Sequence, residues 1–441
     1  MTPRITWDEA SARRYGRQLL RTPAQSGTSV AAVVSTLLAV HAQVLSAAEL
    51  SVALRLGGVL QVPHSTHGAR HVPSPPRPKT QVRPVRGPSA GTPRPRTEHR
   101  GHRTGLAKHP LDGSTRQDVR SALWDDRSLV KTYGPRGTIH LLTADELPFW
   151  SAALTAVPGR TTPHPAVRMT SGQQEQVVAA IGDALDGRQL TIDELSEEVV
   201  ARTGPWAGDL VLEAFQGKWP RWRQVMHRAG QSGALCFAPN RGRKATYTRP
   251  PRFDPLPVDE ALATLVRHYL YAYGPATPQH FAKWAAAPRG WAASLFASLL
   301  ASPASSGGIE EVDFEGVPAW VVAGDTDFPT EGVRGVRLLP YFDAYAVAAQ
   351  PRERMFPGAA YGRALAGGQA GNFPVLLVDG VVAGVWHQRR QGKRTTVTVE
   401  PLAPLTGAQE TELGAQVERV GEVLEAVPEL VVGKVTAGAH A

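Results

Sequence analysis

The residues whose types and spacing suggest chemistry are His41 and Gln43 in the pentapeptide Val40-His41-Ala42-Gln43-Val44. It lies between the apolar stretch VAAVVSTLLAV and a segment opening at Ser46. On a regular helix residues i and i+2 point to nearly opposite sides, whereas in an extended or bent segment they share one. His41 and Gln43 are therefore expected to converge beside the start of the following helix, whose N-terminus favours nearby negative charge. An imidazole accepts a proton near neutral pH, and a carboxamide offers one donating and one accepting end. Together they suit the activation and holding of a water molecule. Taken alone, the plainer reading of the pair is two hydrogen-bonded turn residues.

The elements that would hold this bend are legible from caps and periodicity. Ser46-x-x-Glu49, Thr143-x-x-Glu146 and Thr191-x-x-Glu194 each place a hydroxyl three residues before a glutamate, the arrangement of a capping box. Thr277-Pro278 adds an N-cap with proline at the first helical position. From Thr115, the spacing puts Val119, Ala122, Leu123, Leu129 and Val130 on one helical stripe, after which YGPRGTIHLL turns into a strand. Helix, turn, strand is the order of a winged helix-turn-helix. A second copy is expected from about Leu190, through a Trp219–Arg228 helix, to the hairpin LCFAPNRGRKATYT. A third is expected from helix 259–273, through Thr277 to Trp284, to IEEVDFEGVPAWVV as its wing. From about Arg337 alternating strands turn at Gly380 and Gly392. The fold class that follows is α+β: tandem winged helix-turn-helix units followed by a C-terminal β-barrel. The corresponding domains are 1–150, 151–250, 251–328 and 329–441.

Charge is unevenly placed. The 441 residues carry a formal net charge of +9, and residues 61–110 hold ten Lys or Arg against the single acid Glu98, so this stretch carries the whole excess. With ten prolines and six histidines it reads as a disordered basic insertion in the first domain, a solvated linker or a DNA-tethering arm. DNA binding by the folded part must rest on local clusters. Arg136 lies in a Gly-Pro-Arg-Gly turn, Arg241, Arg243 and Lys244 at one hairpin tip, and Arg389, Arg390, Lys393 and Arg394 at another. Arg352 and Arg354 are weaker candidates, because Glu353 can pair with either. A lone cysteine, Cys236, allows neither an internal disulfide nor a multi-cysteine zinc site. Met1–Ala10 has no basic region followed by an apolar one, and no run is apolar enough to span a bilayer, so a cytoplasmic protein is expected. The absence of a G-x-x-x-x-G-K-[ST] loop and of a close acidic cluster argues against ATP coupling and a metal-dependent nuclease.

VHAQVLSAAELSVALRL, LVKTYGPRGTIHLLTADELPFW, LCFAPNRGRKATYT, and LLPYFDAYAVAAQPRERMF with VDGVVAGVW together resemble the AlkZ/YcaQ superfamily of winged-helix DNA glycosylases. The resemblance covers nearly all of the chain outside the Pro/Arg insertion. It implies three tandem winged-helix units and a C-terminal β-barrel forming a DNA-binding face. It also implies metal-independent excision of alkylated bases, with no cofactor. The family's Gln-x-Gln or Gln-x-Asp motif falls where His41-Ala42-Gln43 stands, and the His-x-Gln form is similar to the branch found with trioxacarcin-type antibiotic producers. The resemblance thus implies a monomeric enzyme acting on double-stranded DNA that carries bulky N7-alkylguanine, in self-resistance or base excision repair, and associated with the nucleoid when bound. In this reading His41 orients and partly deprotonates water, and Gln43 holds that water or the deoxyribose. The alternatives are a relative that has lost activity, or a non-catalytic winged-helix regulator or drug-binding protein.

Overall fold

The structure, a computed structural model, describes residues 2–25, 27–57, 114–159, 164–214, 217–301 and 308–439. The insertion at 61–110 lies outside the described residues. One order of elements occurs three times along the chain: helix, short strand or bridge, two helical segments, then two strands that pair with each other in a three-stranded sheet. The first set runs from helix Val30–Thr36 through strand Val40–His41 and helices Leu45–Ala53 and Arg116–Trp124 to strands Leu129–Tyr133 and Ile139–Thr143. Ile139–Thr143 lies between the other two strands, antiparallel to both. The second set runs from helix Ser171–Leu185 and strand Leu190–Thr191 through helices Ile192–Thr203 and Met226–Gln231 to the hairpin Cys236–Arg241 and Lys244–Thr248. In the third, helix Val258–Tyr273 is followed by a single bridging residue, Ala276, which pairs with Trp320 in place of a strand. Helices Pro278–Ala285 and Arg289–Leu300 and the hairpin Ile309–Phe314 with Val317–Val322 complete it.

Local capping explains some of these boundaries, and tertiary contacts override it at others. Thr115, Thr191 and Thr277 each cap a helix through the hydroxyl, and the residue three later returns a side-chain bond: Asp118, Glu194 and His280. Ser46 does not cap. Its helix starts at Leu45 behind Val44, and Glu49 is buried and holds Arg120 of the neighbouring helix at 2.7 Å. Thr143 is the last residue of a strand. It bonds Glu146 at 2.8 Å, yet the helix begins only at Leu147, with Pro148 in its first turn and no side-chain cap. The helix at Arg116 ends at Trp124, because Arg127 takes a left-handed conformation with φ 55. Leu129 and Val130 therefore lie on a strand and not on the helical stripe with Val119, Ala122 and Leu123. Nor is Trp219–Arg228 one helix. Trp219 belongs to strand Lys218–Pro220, and helical geometry starts after Pro220, which can open a helix but not continue one.

The C-terminal strands Val336–Leu339, Val375–Val378, Val381–Gln391, Arg394–Pro401 and Val427–Val432 form one five-stranded sheet in chain order. Gly380 and Gly392 make its turns with φ +83 and +60. The expected barrel does not close: the first and last strands are both edges. Helix Gly407–Leu424 connects the last two strands in parallel, and its Leu413, Val417, Val420 and Val423 pack with Leu338, Trp386, Val397 and Val399 of the sheet. The opposite face, with Val375, Leu377, Val382 and Val385, packs with Tyr345, Phe356 and Tyr15. With both faces covered by helices and loops, each buried aliphatic side chain gains its roughly 1.5–3 kcal/mol of transfer free energy without a closed barrel. Strand Arg4–Ile5 runs parallel to Ile309–Phe314, so the start of the chain extends the third sheet rather than the first.

Candidate active site

His41 ends the two-residue strand Val40–His41 and stands opposite His140 in the antiparallel ladder. Extended backbone sends successive side chains to opposite faces. Ala42 is fully buried and its N–H donates to the Ile139 carbonyl at 2.8 Å, while Gln43, two residues beyond His41, is exposed and makes no hydrogen bond among the described residues.

Three side chains surround the imidazole. Phe342 stacks on it at 5.3 Å and 26°, and the His140 ring tilts against it at 4.2 Å and 42°. Arg136 donates from Nη2 to His41 Nε2, and from Nη1 to the Trp284 carbonyl at 3.4 Å. A guanidinium only donates, so Nε2 presents its lone pair and the proton of the neutral ring sits on Nδ1. Nδ1 is buried and has no hydrogen-bond partner among the described residues. Burial, followed by the neighbouring His140 and Arg136, pushes the His41 pKa far below its ordinary value, so the ring is uncharged at physiological pH. Burial likewise draws Arg136 down to about 10, which leaves it cationic.

The two contacts from outside the ladder come from unusual backbone. Arg136 has φ 63 and Phe342 φ 56, left-handed positions that cost non-glycine residues of order 1–3 kcal/mol and persist only where surroundings enforce them. For Phe342 those surroundings are explicit. Its N–H donates to the Gly371 carbonyl at 3.0 Å, and a Cβ on Gly371 would stand 2.9 Å from the phenyl ring. Asp343 next to it is fully buried and accepts from Arg55 at 2.8 and 2.9 Å and from Ser51 Oγ at 2.6 Å. Ser51 lies in the last turn of the helix that follows the His41–Gln43 bend, and Arg55 just beyond its C-cap. Spacing gave no sign of Phe342, Asp343 or His140. The segment of Phe342 and Asp343 is visible in the sequence only as part of the family resemblance, whereas that of His140 is also legible as the strand after the Gly-Pro-Arg-Gly turn.

His140 carries a pH prediction. Its Nδ1–H donates to the Thr138 carbonyl, and burial pulls its pKa to about 3. A histidine in the unfolded chain takes up a proton near pH 6.5, whereas folded His140 does so only near pH 3. The unfolded state therefore binds more protons in that window, and stability rises with pH. The contribution is fully present above about pH 6.5 and falls by about 1.4 kcal/mol per unit as the pH drops. The melting temperature should accordingly decrease from pH 7.5 to pH 5. His280, held at about 4 by burial, acts in the same direction. Constant stability across that range would contradict the assignment.

The other basic candidates lie in two hairpins. At the tip 241–244, Arg241 pairs with Glu194 at 2.6 Å and Lys244 with Asp193 at 2.6 Å, while Arg243 is exposed and unpaired among the described residues. At 389–394, Arg390 donates to the Gly392 and Leu424 carbonyls, and Arg389, Lys393 and Arg394 are exposed and unpaired among the described residues. Arg352 is buried and donates to the Ala346 and Val347 carbonyls, and Arg354 pairs with Glu315, so among the described residues Glu353 forms an ion pair with neither. Among the described residues no helix is long and apolar enough to cross a membrane.

The family model for AlkZ-like DNA glycosylases matches residues 97–423. An interstrand DNA cross-link repair glycosylase of Streptomyces sahachiroi is 29% identical over 279 residues, which cover 59% of this chain and 71% of that protein. Among solved structures, the Streptomyces sahachiroi DNA glycosylase AlkZ has a similar fold. Its TM-score is 0.68 at 24% identity, covering 98% of this chain and 100% of that one.

Proposed function

The chain belongs to the AlkZ-like family of DNA glycosylases, hydrolases of N-glycosyl bonds, and on that premise we propose that it excises bulky N7-alkylguanine from duplex DNA, cross-linked lesions included. The three repeated units are read as tandem winged helices over domains 151–250, 251–328 and the folded part of 1–150, with 329–441 as the sheet domain. The protein acts as a monomer, without a metal, in antibiotic self-resistance or base excision repair, and at the nucleoid when bound.

The observation that carries this reading is an uncharged, half-buried imidazole at His41 two residues from the exposed carboxamide of Gln43. Alkylation at N7 makes guanine a cationic leaving group, so the departing base needs no general acid. Water attacks the anomeric carbon as the N9–carbon bond breaks, and the bond's electron pair neutralises the base. The demand on the protein is to place that water and to leave the developing oxocarbenium unopposed. A neutral imidazole meets the second need, because a histidinium would repel the same positive charge. Gln43 holds the water or the deoxyribose, and His41 orients the water and takes up part of its proton.

The test is a single-turnover assay for alkali-labile sites on duplex carrying a defined N7-alkylguanine. Lesion-dependent abasic sites are expected. Binding without base release would leave only the regulator reading standing.

Affinity carries a separate expectation. Each phosphate contact contributes about 0.9 to the slope of log affinity against log salt. Replacing Arg389, Lys393 and Arg394 together with glutamine should lower the slope by roughly 2 to 3, as read by fluorescence anisotropy of a labelled duplex. Replacing Arg241 and Lys244 should change it less, because both are already engaged by acids. An unchanged slope in the triple variant would remove that hairpin from the DNA interface.

A further inference from the structure

Arg136 is a half-buried cation with no anionic partner among the described residues. It makes no ion pair among the described residues, and its polar partners are the His41 ring and a backbone carbonyl. The charged and titratable groups acting on it are Tyr273 and another cation, Arg352; those acting on His41 are His140 and Arg136 itself. Arg136 also lines a cleft of about 1450 Å³, with Glu175, His227, Arg228 and Gln231 on its other walls. A desolvated guanidinium bonded only to neutral acceptors is poorly compensated, and a phosphate offers it a charged, bidentate partner. While the guanidinium stays on Nε2, however, the only lone pair of the neutral His41 ring is occupied, and the remaining Nδ1–H is buried without an acceptor among the described residues.

We propose that Arg136 is a positioning residue that holds His41 in the free enzyme and exchanges it for a DNA phosphate on binding, so that docking of the duplex exposes Nε2 to the reacting sugar. The inference rests on the reading of His41 as the water-orienting group. It goes beyond a simple phosphate contact, because it couples occupancy of the backbone site to the state of the imidazole. Arg136 also sits in a left-handed backbone conformation, a strained position of the kind that clusters at functional sites.

The experiment uses the full chain with 15N-labelled histidine and an undamaged duplex, on which no turnover occurs. Free protein should show His41 protonated at Nδ1 with Nε2 accepting a strong hydrogen bond. Saturation with duplex should move the Nε2 resonance as that donor leaves. In Arg136→Met the free protein should already show the released Nε2, and the salt slope should fall by about 0.9. The Nε2 resonance and the salt slope should change together in this variant, which a merely structural role for Arg136 would not produce. Arg136→Lys, which keeps the charge but not the planar fork, should retain the slope and lose the Nε2 bond. A His41 spectrum that does not respond to duplex in the wild type overturns the exchange, as does an Arg136→Met protein whose free Nε2 resonance matches that of the wild type. If instead His41→Ala and Gln43→Ala release base at the wild-type rate while the Nε2 shift persists, the exchange stands and the catalytic reading fails.

Discussion

Replacing Gln43 with alanine should slow base release by about 10²- to 10³-fold in single turnover, with little change in duplex affinity or melting temperature. The size follows from the loss of one preorganised hydrogen bond to the attacking water or sugar, which in comparable sites is worth about 2.7–4 kcal/mol of barrier. Folding should be spared because the side chain is exposed and bonds to nothing among the described residues. His41→Ala should reduce the rate comparably but also lower stability, since the ring packs between Phe342 and His140. The wild-type rate should be flat from pH 8 to about pH 5.5. The His41 pKa is driven down by burial, so the ring stays neutral as the pH falls through the range where an ordinary histidine would charge. A Gln43→Ala enzyme working within threefold of wild type would mean that another group holds the water.

The second large effect belongs to Asp343, which never reaches the imidazole. Asp343→Ala strips the fully buried Arg55 of its carboxylate and should destabilise the fold by about 3–5 kcal/mol, measured as a lower urea midpoint. The paired change Arg55→Met with Asp343→Leu should restore much of that loss, because uncharged side chains of similar volume remove the stranded cation. Base release should not recover with it. Asp343 Oδ1 caps the turn after Phe342, accepting the Tyr345 N–H at 3.1 Å, and without it the left-handed Phe342 loses part of what holds its ring on His41. Recovery of both stability and rate in the double variant would show that the ion pair matters for folding alone.

Several features of the molecule could be read along the chain because their causes are local. The caps at Thr115, Thr191 and Thr277 are bonds between residues three or fewer apart, and Gly380 and Gly392 turn where strands must reverse. The same chemistry misled at Ser46, where the glutamate that would have closed a capping box is drawn away by Arg120, 71 residues further on. It misled again after Trp124, where the apolar stripe continues in sequence while the backbone reverses at Arg127.

The sequence by itself determined that His41 and Gln43 occupy a short extended bend between helices, since the apolar helix before it and the segment after it are read from local periodicity. It also determined the family, through motifs spread over most of the length. Tertiary structure alone decided what the imidazole can do. Its charge state is set by burial, its lone pair is taken by Arg136, and its plane is fixed by a phenyl ring held through an ion pair spanning 288 residues. Desolvation and long-range contact depend on which surfaces meet, and no spacing along a chain specifies that.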